Sequence, residues 1–150
     1  MRKWMYGAVV LLWMAVIISF SHQTATSSNE LSYGVTERLV AFVELLVPSV
    51  ELNAVELHHM VRKNAHFLIY LVLGILVMGT LTKLGMKGLR CAAVTLLLCV
   101  LFAVSDEVHQ LFVIGRGAQV QDVLIDSAGA VIGMGLYKWV ARMRGRSAGE

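Results

Sequence analysis

Residues 65–82 read AHFLIYLVLGILVMGTLT, and His66 is the only side chain in the run that ionises near neutral pH. A helix crossing a bilayer needs roughly 20 mainly apolar residues, with a range of about 17–25. The run meets that requirement, and three others join it on either side. Trp4–Phe20 is uncharged. Cys91–Val104 is also without charge but short, reaching spanning length only by continuing through Ser105-Asp106-Glu107-Val108-His109-Gln110 to Val113. Asp122–Ala141 carries Asp122 and Asp126 at its start and Lys138 near its end. The sequence therefore predicts an all-α, polytopic membrane helix bundle forming one domain over 1–150, with spans at 4–20, 65–82, 91–113 and 122–141. An extracytoplasmic amphipathic helical segment fills 21–61.

Composition points the same way. The AVILMFWYC set makes up 57% of the 150 residues and charged residues 15%, against roughly 45–50% apolar and about 25% charged in soluble domains. Mean hydropathy is +0.70. A chain of this length has room for one modest core, so the surplus apolar surface needs lipid as its solvent. Two cysteines, Cys91 and Cys99, exclude a disulfide scaffold; eight positions apart in span three, they read as apolar packing. The net charge of +3 does not signal nucleic acid, because the basic residues form short runs beside apolar segments, with no aromatic platform.

Those runs orient the chain. With the N-terminus inside, the cytoplasmic segments hold nine basic residues (Arg2, Lys3, Lys83, Lys87, Arg90, Lys138, Arg142, Arg144, Arg146) and the outer segments four (Arg38, Arg62, Lys63, Arg116). The positive-inside rule then places both termini in the cytoplasm. Arg2-Lys3, an apolar run and the tail Ser21–Ser28 also fit a signal peptide. The length of the apolar run favours a retained helix, and cleavage would leave the other spans oriented as before. In the outer segment, Ser21–Asn29 reads as a linker and Thr36–Leu46 as an amphipathic helix. Pro48 ends that helix or begins the next, and Val50–Arg62 runs on towards the second span. Glu30, Glu37, Glu44 and Glu51 form a solvated face, and His22, His58 and His59 are expected at the surface.

Ionisable residues within a bilayer cost about 2.5–3.5 kcal/mol each on insertion scales, so they need a partner or a purpose. Here they collect at one depth of the outer leaflet. Lys63 and His66 open span two, Asp106, Glu107, His109 and Gln110 close span three, Arg116 lies in the next loop, and Asp122 and Asp126 open span four. Lys63, His66 and Tyr70 share a helix face, as do Asp122, Asp126, Gly129 and Gly133. The last two form a GxxxG pattern that lets a neighbouring helix approach closely. Packing explains the glycines but not the two aspartates above them. Lys63, His66, Asp106, Glu107, Gln110, Arg116, Asp122 and Asp126 are expected to line one outward-opening cavity. Tyr70 should sit deeper, its hydroxyl bonded to the cluster. Arg116 is expected to pair with Asp122 first and Asp106 second, across a short connection. Glu107, turned about 100° from Asp106 on a helix, is the outlying member.

Arg62-Lys63-Asn64-Ala65-His66-Phe67 with Tyr70, Ser105-Asp106-Glu107-Val108-His109-Gln110, Gly115-Arg116, and Asp122 through Asp126 to Gly129 occur in that order. Together they resemble the VanZ-like family of small bacterial polytopic membrane proteins, named for a protein associated with teicoplanin resistance. They span most of Val61–Val140. Two positions depart from the family pattern: Ile114 stands where proline is common, and Asp126 where asparagine often does. The resemblance implies a link to glycopeptide resistance or envelope maintenance at the bacterial cell membrane, and brings no reaction with it.

Three functions suit these residues. An accessory or resistance protein would bind or shield a membrane lipid or lipid-linked envelope precursor without turnover. A headgroup enzyme would hold a phosphate- or glycan-bearing lipid through Lys63 and Arg116, with His66 as base or nucleophile oriented by Asp106 or Asp122; Tyr70, Glu107, Gln110 and Asp126 would complete the binding surface. A proton-coupled transporter subunit would use the intramembrane acids as a relay, and four spans without inverted repeats would require it to oligomerise. The first ranks highest. No cofactor is implied, the residues show no recognised metal spacing, and the oligomeric state is open.

Overall fold

The computed structural model describes residues 3–23, 33–38 and 54–147. Every regular element among them is helical. The long helices are α1 (Lys3–Ser21), α2 (Ala54–Lys83), α3 (Gly88–Gln110) and α4 (Val120–Ser147), and a short helical stretch covers 33–38. Most of the expected linker Ser21–Asn29, the expected helix Thr36–Leu46 beyond residue 38, and Pro48 lie outside the described residues. So do the acids Glu30, Glu44 and Glu51 and the side chains of His58 and His59.

Each long helix contains a segment long and apolar enough to cross a bilayer: Trp4–Ser21, Met60–Lys83, Gly88–Gln110 and Val120–Arg144. Only a minority of each is buried within the bundle. Leu11, Leu12, Leu89, Leu97, Leu101, Leu124 and Trp139 point outward, each more than half exposed, as a lipid-facing surface requires. The chain is a four-span membrane protein.

The helix ends differ from the apolar runs in instructive ways. α2 starts at Ala54, because no proline or glycine between there and Ala65 interrupts it; the expected outer stretch Val50–Arg62 is, from Ala54 on, its first turns. α3 stops at Gln110 instead of running to Val113. The N–H groups of Leu111, Phe112 and Val113 bond back to Val108, His109 and Gln110 at 3.3, 3.0 and 3.1 Å, tightening the end into a three-residue turn. Gly115 then takes φ +77°, which a side chain would strain. At the opposite end α2 closes with Met86 N donating to Leu81 O and Gly85 N to Thr82 O, both 3.0 Å. With Gly85 at φ +100°, this is a Schellman motif, and it folds α3 back antiparallel within a few residues.

α2 and α4 form the most extensive helix pair. Lipid supplies no hydrophobic drive between helices, so close packing must hold them. A Cβ at Gly129 would collide with the Phe67 carbonyl, one at Gly133 with that of Leu71, and one at Gly74 with the backbone of Ala130. The expected GxxxG face thus meets α2 backbone to backbone. α1 packs against α2 and α3. Its Trp13 indole N–H donates to Ile69 O at 2.9 Å, and Tyr6 O accepts from the Thr80 hydroxyl at 3.3 Å. Between these contacts Ile17, Leu73, Val77, Cys99, Ala103 and Ala130 build the core with Tyr70. A smaller sulfur-rich cluster of Met78, Cys91 and Met134 lies towards the α2–α3 turn, where the Thr95 hydroxyl donates to Met78 Sδ at 3.4 Å.

Candidate functional site

The antiparallel arrangement brings the end of α1, the first half of α2, the end of α3, the loop 111–119 and the start of α4 to one end of the bundle. Every candidate site residue named from the sequence lies there, although the helices carrying them are distant in the chain.

His66, on α2, faces Asp126, on α4. Nδ1 and Oδ1 are 3.6 Å apart, and the Asp126 side chain is fully buried. Asp106 and Asp122 are within Coulombic reach of the same imidazole. The aspartate that meets His66 is therefore Asp126, in place of the expected Asp106 or Asp122. One turn of α4 above the glycine contact lies Asp126, so the close helix approach delivers its carboxylate to α2. Asp106 is buried beneath Ser21 and Gln110. Gln110 Nε2 donates to Ser21 Oγ at 2.8 Å, joining α3 to the end of α1.

Glu107 is also buried, at 3% exposure, and its Oε2 accepts the backbone N–H of Gln119 at 2.7 Å. Gln119 immediately precedes α4, so this carboxylate lies against a helix N-terminus, where the dipole favours negative charge. Glu107 has a definite structural task, and Asp122 shares the field from the first turn of the helix. Tyr70 lies deeper on the His66 face as expected, tilted against Phe102. Its hydroxyl, however, has no hydrogen-bond partner among the described residues, which corrects the expected bond to the cluster.

Lys63 Nζ donates to Gln121 Oε1 at 3.3 Å. Arg116 departs from expectation. It forms no direct ion pair with Asp122 or Asp106 among the described residues, and its Nε and Nη1 are buried without partners. Burial pulls its pKa below the usual arginine value, and neighbouring Arg62 adds to that, while Asp106, Glu107 and Asp122 oppose it. A guanidinium nonetheless stays protonated. At the same end of the bundle a small cavity of ≈ 80 Å³ is lined by Arg62, Lys63, His66, Gln119 and Asp122. Of the expected set, Lys63, His66 and Asp122 line this cavity; Arg116 does not, and Asp106, Glu107, Gln110 and Asp126 are buried side chains outside its lining. The carboxylate oxygens of Asp106 and Asp126 and Oε1 of Glu107 have no hydrogen-bond partner among the described residues. Nor do those residues include three or more His, Cys, Asp or Glu side chains placed to hold a metal ion.

Ser21, Arg62 and Gln119 belong to this end of the bundle although nothing in their type or spacing marks them as site residues, and His22 is exposed, as expected. The His22 and His109 rings stack with centroids 5.3 Å apart and share a hydrogen bond between Nδ1 and Nε2 at 3.1 Å. Position gives the signal for Ser21 and His22: Ser21-His22-Gln23 follows span one at the same depth as the cluster.

This fold and site define a class: a small four-span membrane protein with a polar cluster buried at one end of its bundle. The family model described as VanZ/LLP1 matches residues 6–141, and the chain belongs to that family. Neither the curated proteins nor the solved structures contain a match to it.

Proposed function

We propose that the polar cluster receives the anionic headgroup of a membrane lipid or lipid-linked envelope precursor. The protein then serves as an accessory factor in glycopeptide resistance or envelope maintenance, at the outer face of a bacterial cell membrane with both termini inside. The observation that carries this reading is Arg116, whose Nε and Nη1 are buried without partners among the described residues and which feels the charge of Arg62, a residue that lines the cavity together with Lys63. Burial and Arg62 disfavour the Arg116 charge, and Asp106, Glu107 and Asp122 offset them without bonding to its Nε or Nη1. A phosphate or carboxylate that reached Arg116 would satisfy those free guanidinium donors in bidentate fashion.

A second reading rests on its own observation. His66 lines the same cavity and is backed by Asp126 at 3.6 Å, a base-and-orienter arrangement suited to hydrolysing a headgroup bond. In that case the protein is a headgroup enzyme.

The test is a deletion strain complemented with wild type, Arg116→Gln or His66→Ala, scored for teicoplanin susceptibility and for lipid and cell-wall precursor profiles. The binding reading expects Arg116→Gln to abolish complementation at normal membrane abundance, with no lipid accumulating as an unprocessed substrate. An accumulating lipid in the His66→Ala strain identifies the enzyme instead. Full complementation by Arg116→Gln would sink the binding reading, and full complementation by His66→Ala the enzymatic one.

A further inference from the structure

The end of the bundle opposite the polar cluster carries residues of α2 and α4 beyond their glycine contact. The opening between them is a groove of ≈ 430 Å³, within the roughly 300–1,000 Å³ typical of small-molecule sites. Ile75, Leu136 and Val140 supply its apolar wall, and Lys83 and Arg144 its basic mouth. A second groove of ≈ 240 Å³ adjoins it towards α1 and shares Ile75, Lys83 and Tyr137. The Tyr137 ring stands between the two. Gly79 makes room for it, since a Cβ there would come within 3.2 Å of Tyr137 Cε2.

Charge at this end has one sign. Lys83, Lys87, Arg90, Lys138, Arg142 and Arg144 cluster here, and no Asp or Glu occurs from Lys83 to Ser105 or from Ser127 to Ser147. Among the described residues, Lys83 and Arg144 thus face an apolar slot with no acid to neutralise them. A long cationic side chain at the end of a membrane helix reaches its head to the headgroup level while its stem covers apolar surface. Basic pockets between membrane helices suit anionic headgroups.

We propose that this groove is a binding site for an anionic phospholipid. Its phosphate sits between Lys83 and Arg144, and one acyl chain lies along Ile75, Leu136 and Val140. The site is separate from the polar cluster and does not depend on the function assigned to it. A zwitterionic lipid would bring a cation of its own to a mouth that already holds two.

The experiment uses the full chain purified in neutral detergent and supplemented with phosphatidylglycerol or phosphatidylcholine. Retained lipid is counted by native mass spectrometry, and the shift in Tm is followed in parallel. Phosphatidylglycerol should be retained and raise Tm, and phosphatidylcholine should do neither. The double variant Lys83→Gln/Arg144→Gln should lose affinity about thirtyfold, the order expected for two basic contacts. Lys87→Gln/Arg90→Gln removes the same charge from the same end and should bind as wild type. Val140→Trp, which fills the slot and keeps both charges, should also weaken binding. Equal losses in the two double variants would overturn the proposal in favour of a diffuse field. It would also fall if Val140→Trp retained full affinity, if the two lipids bound alike, or if inorganic phosphate gave the same shift as the lipid.

Discussion

His66 Nδ1 and Asp126 Oδ1 stand 3.6 Å apart, linking α2 to α4 where the polar cluster meets the apolar core. A buried carboxylate whose one ion-pair partner among the described residues is His66 depends on that partner. Removing one member of such a pair is commonly worse than removing both, because the survivor is left uncompensated.

A double-mutant cycle on this pair should therefore show coupling. His66→Ala and Asp126→Ala should each destabilise the detergent-solubilised protein, and the double variant should be less damaged than the sum. The expected interaction energy is about 1–3 kcal/mol, in the range for residues in direct contact. Unfolding of the four proteins under one condition measures it, and strictly additive effects would mean that the pair does not interact.

The glycines of α4 should separate into two groups. Gly133→Ala puts a methyl group against the Leu71 carbonyl, and Gly129→Ala puts one against that of Phe67. Both force α2 and α4 apart, at a cost on the scale of overpacking, about 1–3 kcal/mol. At Gly135, two residues on, a Cβ would meet nothing within 4 Å. Gly135→Ala should be neutral or gain up to about 1 kcal/mol in helix propensity. Thermal melts of the three variants decide it, and a Gly133→Ala protein as stable as wild type would contradict the close approach.

The four spans and the collection of polar residues at one end are legible in the sequence because both follow from transfer energies along single helices. Apolar run length marks a span, and an acid near a run's end marks a depth. Which acid meets which base is not legible in this way. His66 meets Asp126 because the glycine contact sets the register of α4 against α2, a tertiary fact invisible to spacing within either helix. Glu107 looks peripheral in the sequence for a similar reason: its partner is a backbone N–H at Gln119, and backbone donors leave no trace in composition. The apolar pattern overextends α3 because Leu111-Phe112-Val113 is as apolar as the span before it, and Gly115 turns the chain only afterwards.

Arg116 should behave as a ligand-binding residue and not as a structural one. Its donors Nε and Nη1 have no partner among the described residues, so Arg116→Gln breaks no direct ion pair. Membrane abundance and Tm should change little, while resistance or lipid binding is lost. Arg116→Lys should rescue poorly, because an ammonium cannot reproduce the planar fork. If Arg116 were instead a counter-ion for Asp122, charge reversal at both positions would restore the protein. That double variant, scored for abundance and for function, separates the two roles.

Orientation is the last point to be tested, because the outer-leaflet ligand depends on it. Nine basic residues at one side against four at the other predict that both termini and the α2–α3 turn face the cytoplasm. The polar cluster and the loop 111–119 then face outward. Single cysteines introduced at Ser28 and Gly117 should react with a membrane-impermeant maleimide in intact cells. Those at Gly85 and Gly145 should react only after the membrane is opened. The native thiols of Cys91 and Cys99 are buried and should contribute little background. Labelling of Gly85 in intact cells would invert the molecule, moving the Arg116 site to the cytoplasmic face. A headgroup of the inner leaflet would then be the ligand to seek, and a direct role against an antibiotic acting outside the cell would be excluded.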